Sequence, residues 1–178
     1  LRETFSYSIP LLFAGFFWKI FYWADSFLIG YFETAKEVGI YNAGVPIALA
    51  LTISSQLFLQ LFFPLITKEY AAGNKSLVQE LSKQVGKWIF FINLPVAILI
   101  IIFPGAFLNI LFGQEFLGAV NALRFLLIGF FFLSLFSISN QLIEMSGRTK
   151  TVFLDYFIVS ILNVVLNIIF IPKYGITG

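Results

Sequence analysis

The run VGIYNAGVPIALALTISSQLFLQLFFPLIT, residues 38–67, contains no charged residue. A helix needs ~20 predominantly apolar residues to cross the hydrocarbon of a bilayer, and this run exceeds that length. A second charge-free run, residues 88–114, exceeds it too. Strands of a membrane barrel would instead alternate in character over segments of about ten residues. Composition points the same way. Of 178 residues, 60% are hydrophobic and 11% charged, and the mean hydropathy is +0.95. A soluble domain sits nearer half apolar and a quarter charged. The sequence therefore specifies an all-α membrane protein, a polytopic helix bundle.

Working outward from residues 38–67, punctuation and hydropathy predict about five transmembrane helices, at about 5–32, 38–66, 88–103, 116–144 and 151–171. Pro10 lies near the start of the first, Pro46 interrupts the second, and Pro64 bends or ends it. Residues 68–87 are the most polar segment, with Lys68, Lys75, Lys83 and Lys87 against Glu69 and Glu80. Ser76 and Gln79 have capping-box spacing, and Leu77, Val78, Leu81 and Val85 fall on one side. This predicts a cytoplasmic amphipathic helix on the membrane surface. Pro104, Gly105 and Gly113 mark the loop after the third span.

Orientation follows from lysine and arginine. With the N-terminus of this chain cytoplasmic, Arg2, the four lysines of 68–87, Arg148 and Lys150 lie inside, against Lys36, Lys173 and Arg124 outside. The positive-inside rule favours that arrangement in the cytoplasmic membrane. Five spans is an odd count for a transport pathway, which is commonly built from two related halves, and no internal repeat is visible. The chain is thus read as a piece of a larger two-half exporter, with the remaining half and membrane lipids as partners.

Histidine and cysteine are absent. That removes histidine bases, cysteine nucleophiles and the usual soft metal ligands, so neither a metal site nor a cofactor is expected. The acids Asp25, Glu33, Glu37, Glu115, Glu144 and Asp155 are scattered singly, and no glycine-rich phosphate loop is present. A membrane-embedded glycosyltransferase or polymerase is disfavoured for want of an acidic pair. Nucleic-acid binding has no support, because the basic residues flank spans and form no separate basic domain.

Chemistry inside the spans rests on three polar stripes: Thr52, Gln56 and Gln60; Ser134, Ser137, Gln141 and Glu144; and Tyr156, Ser160, Asn163 and Asn167. Each is either interhelical glue, worth ~0.6 kcal/mol per bond, or the wall of a hydrated cavity. Two charges sit within the first span. Lys19 lies close to its middle, at a translocon-scale cost of roughly 2.5–3.5 kcal/mol, so a bundle interior or cavity is expected to receive it. Tyr22 and Trp23, at i+3 and i+4, could offer ring faces to its ammonium. Asp25 is about 9 Å further along the axis and ~240° around it, so the two are not an intrahelical pair. Arg124 and Glu144, near the two ends of the fourth span, read as interfacial.

Asp25-Ser-Phe-Leu-Ile-Gly-Tyr-Phe, then Val38-Gly-Ile-Tyr-Asn-Ala, Phe63-Pro, Phe112-Gly, Ser146-Gly-Arg-Thr-Lys, and Asn163 to Asn167 running into Ile171-Pro-Lys-Tyr-Gly-Ile-Thr-Gly together resemble the polysaccharide transporter family. These are O-antigen flippase-type proteins of the multidrug, oligosaccharidyl-lipid and polysaccharide exporter superfamily. The likeness covers nearly the whole chain, which is similar to the start of the family's second half. It implies a transporter, not an enzyme, that flips a lipid-linked oligosaccharide by alternating access. On that reading Lys19 meets the pyrophosphate in a cavity lined by Tyr22, Trp23, Gln56, Gln60, Ser137, Gln141, Asn163 and Asn167. Asp25 serves gating or ion coupling, as in the cation-coupled multidrug extruders of the same superfamily, which are the alternative.

Overall fold

The computed structural model describes residues 2–178, with side chains from Ser8 onward. Arg2, which enters the charge count above, lies outside the described side chains. Without water, a backbone amide must find its partner within its own segment, and here every long apolar run is helical. The order is α1 (Arg2–Phe32), α2 (Ala35–Ala71), α3 (Lys75–Ile102), α4 (Pro104–Leu111), a 3-10 turn (Gln114–Ala119), α5 (Val120–Met145), α6 (Thr149–Tyr174) and a last 3-10 turn (Gly175–Thr177). Five helices are long and apolar enough to cross a membrane, and the described residues contain no strand. The protein is a multi-pass, all-α membrane protein.

Helix ends follow local chemistry. Thr34 begins α2: its Oγ1 accepts the Glu37 backbone N–H at 3.3 Å, which ties down one of the free donors of the first turn. The second span therefore starts at Ala35 and not at 38. At α3 the spacing of Ser76 and Gln79 proves misleading, because the helix starts earlier, at Lys75, after Asn74. Asn74 supplies no side-chain cap, and its Nδ2 donates to Glu69 Oε2 at 2.6 Å. α2 and α5 end alike. Gly73 N–H reaches Tyr70 O and Asn74 N–H reaches Glu69 O, while Gly147 N–H reaches Glu144 O and Arg148 N–H reaches Ile143 O. Both glycines have positive φ, 81° and 76°, as this closure requires.

Residues 68–87, expected as a separate surface helix, are instead shared between the end of α2 and the beginning of α3, joined by the turn at Ala72 to Asn74. Hydrogen-bond propagation along a helix does not stop where its side chains become polar. At 37 residues α2 is about 55 Å long, far more than the ~30 Å of hydrocarbon, and its lysine-bearing end is the part suited to water. Pro46 and Pro64 lie inside α2 without ending it. Pro104 does enforce a break, between α3 and α4. The guanidinium of Arg124 answers it, Nε donating to the Ile101 carbonyl at 3.3 Å.

The chain forms two units, Leu1–Asn42 with Leu142–Gly178, and Ala43–Gln141. In the first, α1 packs along α6. Phe17 meets Phe153 and Phe157 edge-on, with centroids 5.9 and 4.9 Å apart, and Trp18 lies 5.3 Å from Tyr156. Residue numbers rise together along this seam, so the first and last spans run parallel, as five crossings demand. The second unit is centred on Leu51, Val85, Ile89, Leu123 and Leu127, all at most 1% exposed.

Candidate functional site

In the first unit the aromatic seam between α1 and α6 gives way, two turns further on, to a polar cluster around Asp25. Oδ1 accepts from Asn163 Nδ2 at 3.0 Å and from Asn167 Nδ2 at 2.6 Å. Oδ2 accepts from the Tyr41 hydroxyl at 2.7 Å. Beside it, Ser26 Oγ donates to Asn42 Oδ1 at 2.9 Å. Asn163 and Asn167 are one helical turn apart on α6 and so present their amides on one face. Asn167 Nδ2 also approaches Asn163 Oδ1 at 3.3 Å, which orients the second amide. Tyr41 is buried, Asn167 is 7% exposed, and Asp25, Asn163 and Asn42 are half-buried. Three neutral donors thus hold the carboxylate, and no cation among the described residues pairs with it.

Of the α6 stripe read from the sequence, Asn163 and Asn167 therefore converge on Asp25, while Tyr156 packs on Trp18 in the aromatic seam. Tyr41 completes the cluster and was missed. A signal existed: the hairpin turn lies at Glu33 and Thr34, so the polar pairs Asp25-Ser26 and Tyr41-Asn42, about equally far from it, sit at one level of the antiparallel α1 and α2. Lys19, Tyr22 and Trp23 are elsewhere on α1. All three are exposed. Tyr22 and Trp23 stack edge-on with each other at 5.4 Å, and among the described residues neither ring carries the Lys19 ammonium.

In the second unit the polar groups converge on a residue outside the expected set. Asn93 of α3, 2% exposed, donates from Nδ2 to the Leu51 carbonyl of α2 and to Ser134 Oγ of α5, both at 2.8 Å. Its Oδ1 accepts from Ser54 Oγ at 2.8 Å. One amide thereby ties three helices with its acceptor and both donors in use. Ser137 is half-buried and returns its hydroxyl to the Ser134 carbonyl at 2.7 Å. Gln141 is half-buried, and Gln56 and Gln60 are exposed on α2.

An acidic residue, a phenol and paired asparagines thus meet between α1, α2 and α6. A profile of the family described as polysaccharide biosynthesis protein matches residues 1–121, the greater part of the chain. The chain belongs to this family. As a polysaccharide biosynthesis family member, it is 28% identical over its whole length to an uncharacterized membrane protein of Methanocaldococcus jannaschii. It is 30% identical over 86% of its length to a Shigella flexneri protein named as a candidate O-antigen transporter. Over 97% of its length it is 23% identical to a Haloferax volcanii protein named as a candidate low-salt glycan biosynthesis flippase, Agl15. The polysaccharide transporter resemblance read from the sequence is borne out. The chain spans 35–36% of the length of these relatives. No solved structure matches it.

Proposed function

We propose that this chain is part of a transporter that flips a lipid-linked oligosaccharide, a polysaccharide precursor, across the cytoplasmic membrane by alternating access. The observation that carries the reading is its likeness, over nearly all its length, to family members named for O-antigen transport and for glycan flipping. Because the chain covers about a third of those proteins, the activity belongs to the full-length transporter, with the remainder as partner. No metal, cofactor or catalytic residue is assigned, and the reading is of a transporter and not an enzyme.

Lys19 supports the same reading. It stands near the middle of an apolar span with no partner among the described residues, a position that lipid penalises and an anionic cargo would reward. We assign it to the pyrophosphate, with Tyr22 and Trp23 beside it and Gln56, Gln60, Ser137, Gln141, Asn163 and Asn167 as further polar positions along the cargo path. Asp25 takes the gating or coupling role. An incoming cation would compete with neutral amides and a phenol for its oxygens, and with no fixed charge. The basic α2–α3 turn and Arg148 support a cytoplasmic N-terminal end of α1.

Complementation tests the proposal. The full-length protein should restore surface polysaccharide to a strain lacking its own lipid-linked oligosaccharide flippase. Failure there, together with gained resistance to cationic drugs, would replace it with the cation-coupled multidrug extruder, which the Asp25 cluster also suits.

A further inference from the structure

Arg124 is the one charged residue of α5 that the charge count places outside, and the packing gives it a defined setting. Its plane is fixed by two acceptors, the Ile101 carbonyl on Nε at 3.3 Å and Asn121 Oδ1 on Nη1 at 3.4 Å. Nη2 and the second Nη1 hydrogen have no partner among the described residues, and no carboxylate pairs with the group. The residue is exposed. Helical side chains lean toward their own N-terminus, which on α5 means away from the middle of the span.

Depth and surroundings narrow the ligand. Arg124 and Glu144 are twenty positions apart on α5, about 30 Å, the thickness of the hydrocarbon layer. That spacing suits a guanidinium at headgroup level, with Glu144 at the opposite face. Next along α5, spaced i, i+3 and i+7 and so on one face, follow Phe125, Ile128 and Phe132, exposed by 64, 47 and 63%. A free guanidinium edge beside an exposed apolar stripe suits a phosphate that carries acyl chains.

We propose that Arg124 binds the phosphate of a phospholipid in the leaflet at this end, the acyl chains lying along Phe125, Ile128 and Phe132. The site is independent of the flippase reading and holds for any cargo. It gives the broken α3–α4 segment a second anchor, because the same guanidinium holds the Ile101 carbonyl at the break.

Native mass spectrometry of the full-length protein, titrated with dioleoylphosphatidylglycerol, dioleoylglycerol or inorganic pyrophosphate, tests this. Phosphatidylglycerol should occupy one site that weakens about tenfold in Arg124→Gln, while dioleoylglycerol, which lacks the phosphate, should not be retained. Glutamine keeps an amide donor for Ile101. Asn121→Asp leaves Arg124 in place but puts a carboxylate on it, and should lose the same lipid. Unchanged phosphatidylglycerol binding in both variants overturns the proposal. Displacement of the lipid by equimolar pyrophosphate also overturns it, since the site would then take a free anion and owe nothing to the acyl chains.

Discussion

Asn167 donates to Asp25 at 2.6 Å across the seam between α6 and α1, from 142 positions away in the sequence. It is the most buried amide on that carboxylate, and it joins the last span to the first.

Asn167→Leu should therefore cost about 1.5–3 kcal/mol, the range for a hydrogen bond to a charged group, seen as a lowered unfolding midpoint of the purified full-length protein. Asn163→Ala should cost less, because Asn163 is half-buried and its bond is longer, 3.0 Å. Asn167→Asp sets a second carboxylate against Asp25 and should be worse than either.

Lys19→Ala predicts a different signature. Lys19 has no partner among the described residues, so thermal stability should stay the same or rise while polysaccharide export falls at least tenfold. Export at parental level, at equal expression, would remove Lys19 from the cargo path. Lys19→Arg should retain most of the function.

Asn93 offers a test of the second unit. Its three interhelical bonds, at ~0.6 kcal/mol each in a membrane bundle, predict a loss of about 2 kcal/mol for Asn93→Ala. Ser134 also donates to the Phe131 carbonyl at 2.7 Å, so Ser134→Ala alone should be mild. A double-mutant cycle between the two should recover a coupling of about 0.6 kcal/mol.

Gly44 is buried against α5, and an added Cβ would meet Leu123 Cβ at 3.6 Å, ordinary van der Waals contact. Gly44→Ala should thus be neutral or stabilising, helped by alanine's helix propensity. Gly44→Leu should overpack the contact by about 1–3 kcal/mol, read in the same unfolding measurement.

The spans were legible because hydrocarbon excludes charge, so runs such as 38–67 announce themselves. What was not legible lay where polarity and helix formation part company. On either side of the turn at Ala72 to Asn74, residues 68–87 changed composition without ending α2 at 67 or delaying α3 to 88, since intrahelical bonds continue through any solvent. α4 was hidden because Pro104, Gly105 and Gly113 read as a loop, although a proline also suits the first turn of a helix. In the cluster, the stripe of Asn163 and Asn167 was visible from its four-residue spacing. Its destination was not, because spacing fixes a face and leaves open what that face meets.

Thr52, Ser55 and Ser137 each donate to the carbonyl three residues earlier in their own helix, at 2.7–2.8 Å. Such a hydroxyl carries its acceptor with it. Its proton is thereby used within its own helix, and it loses no partner when the helices shift. Thr52, Ser55 and Ser137 therefore add no lasting tie between spans, and the permanent polar ties of the second unit are left to Asn93.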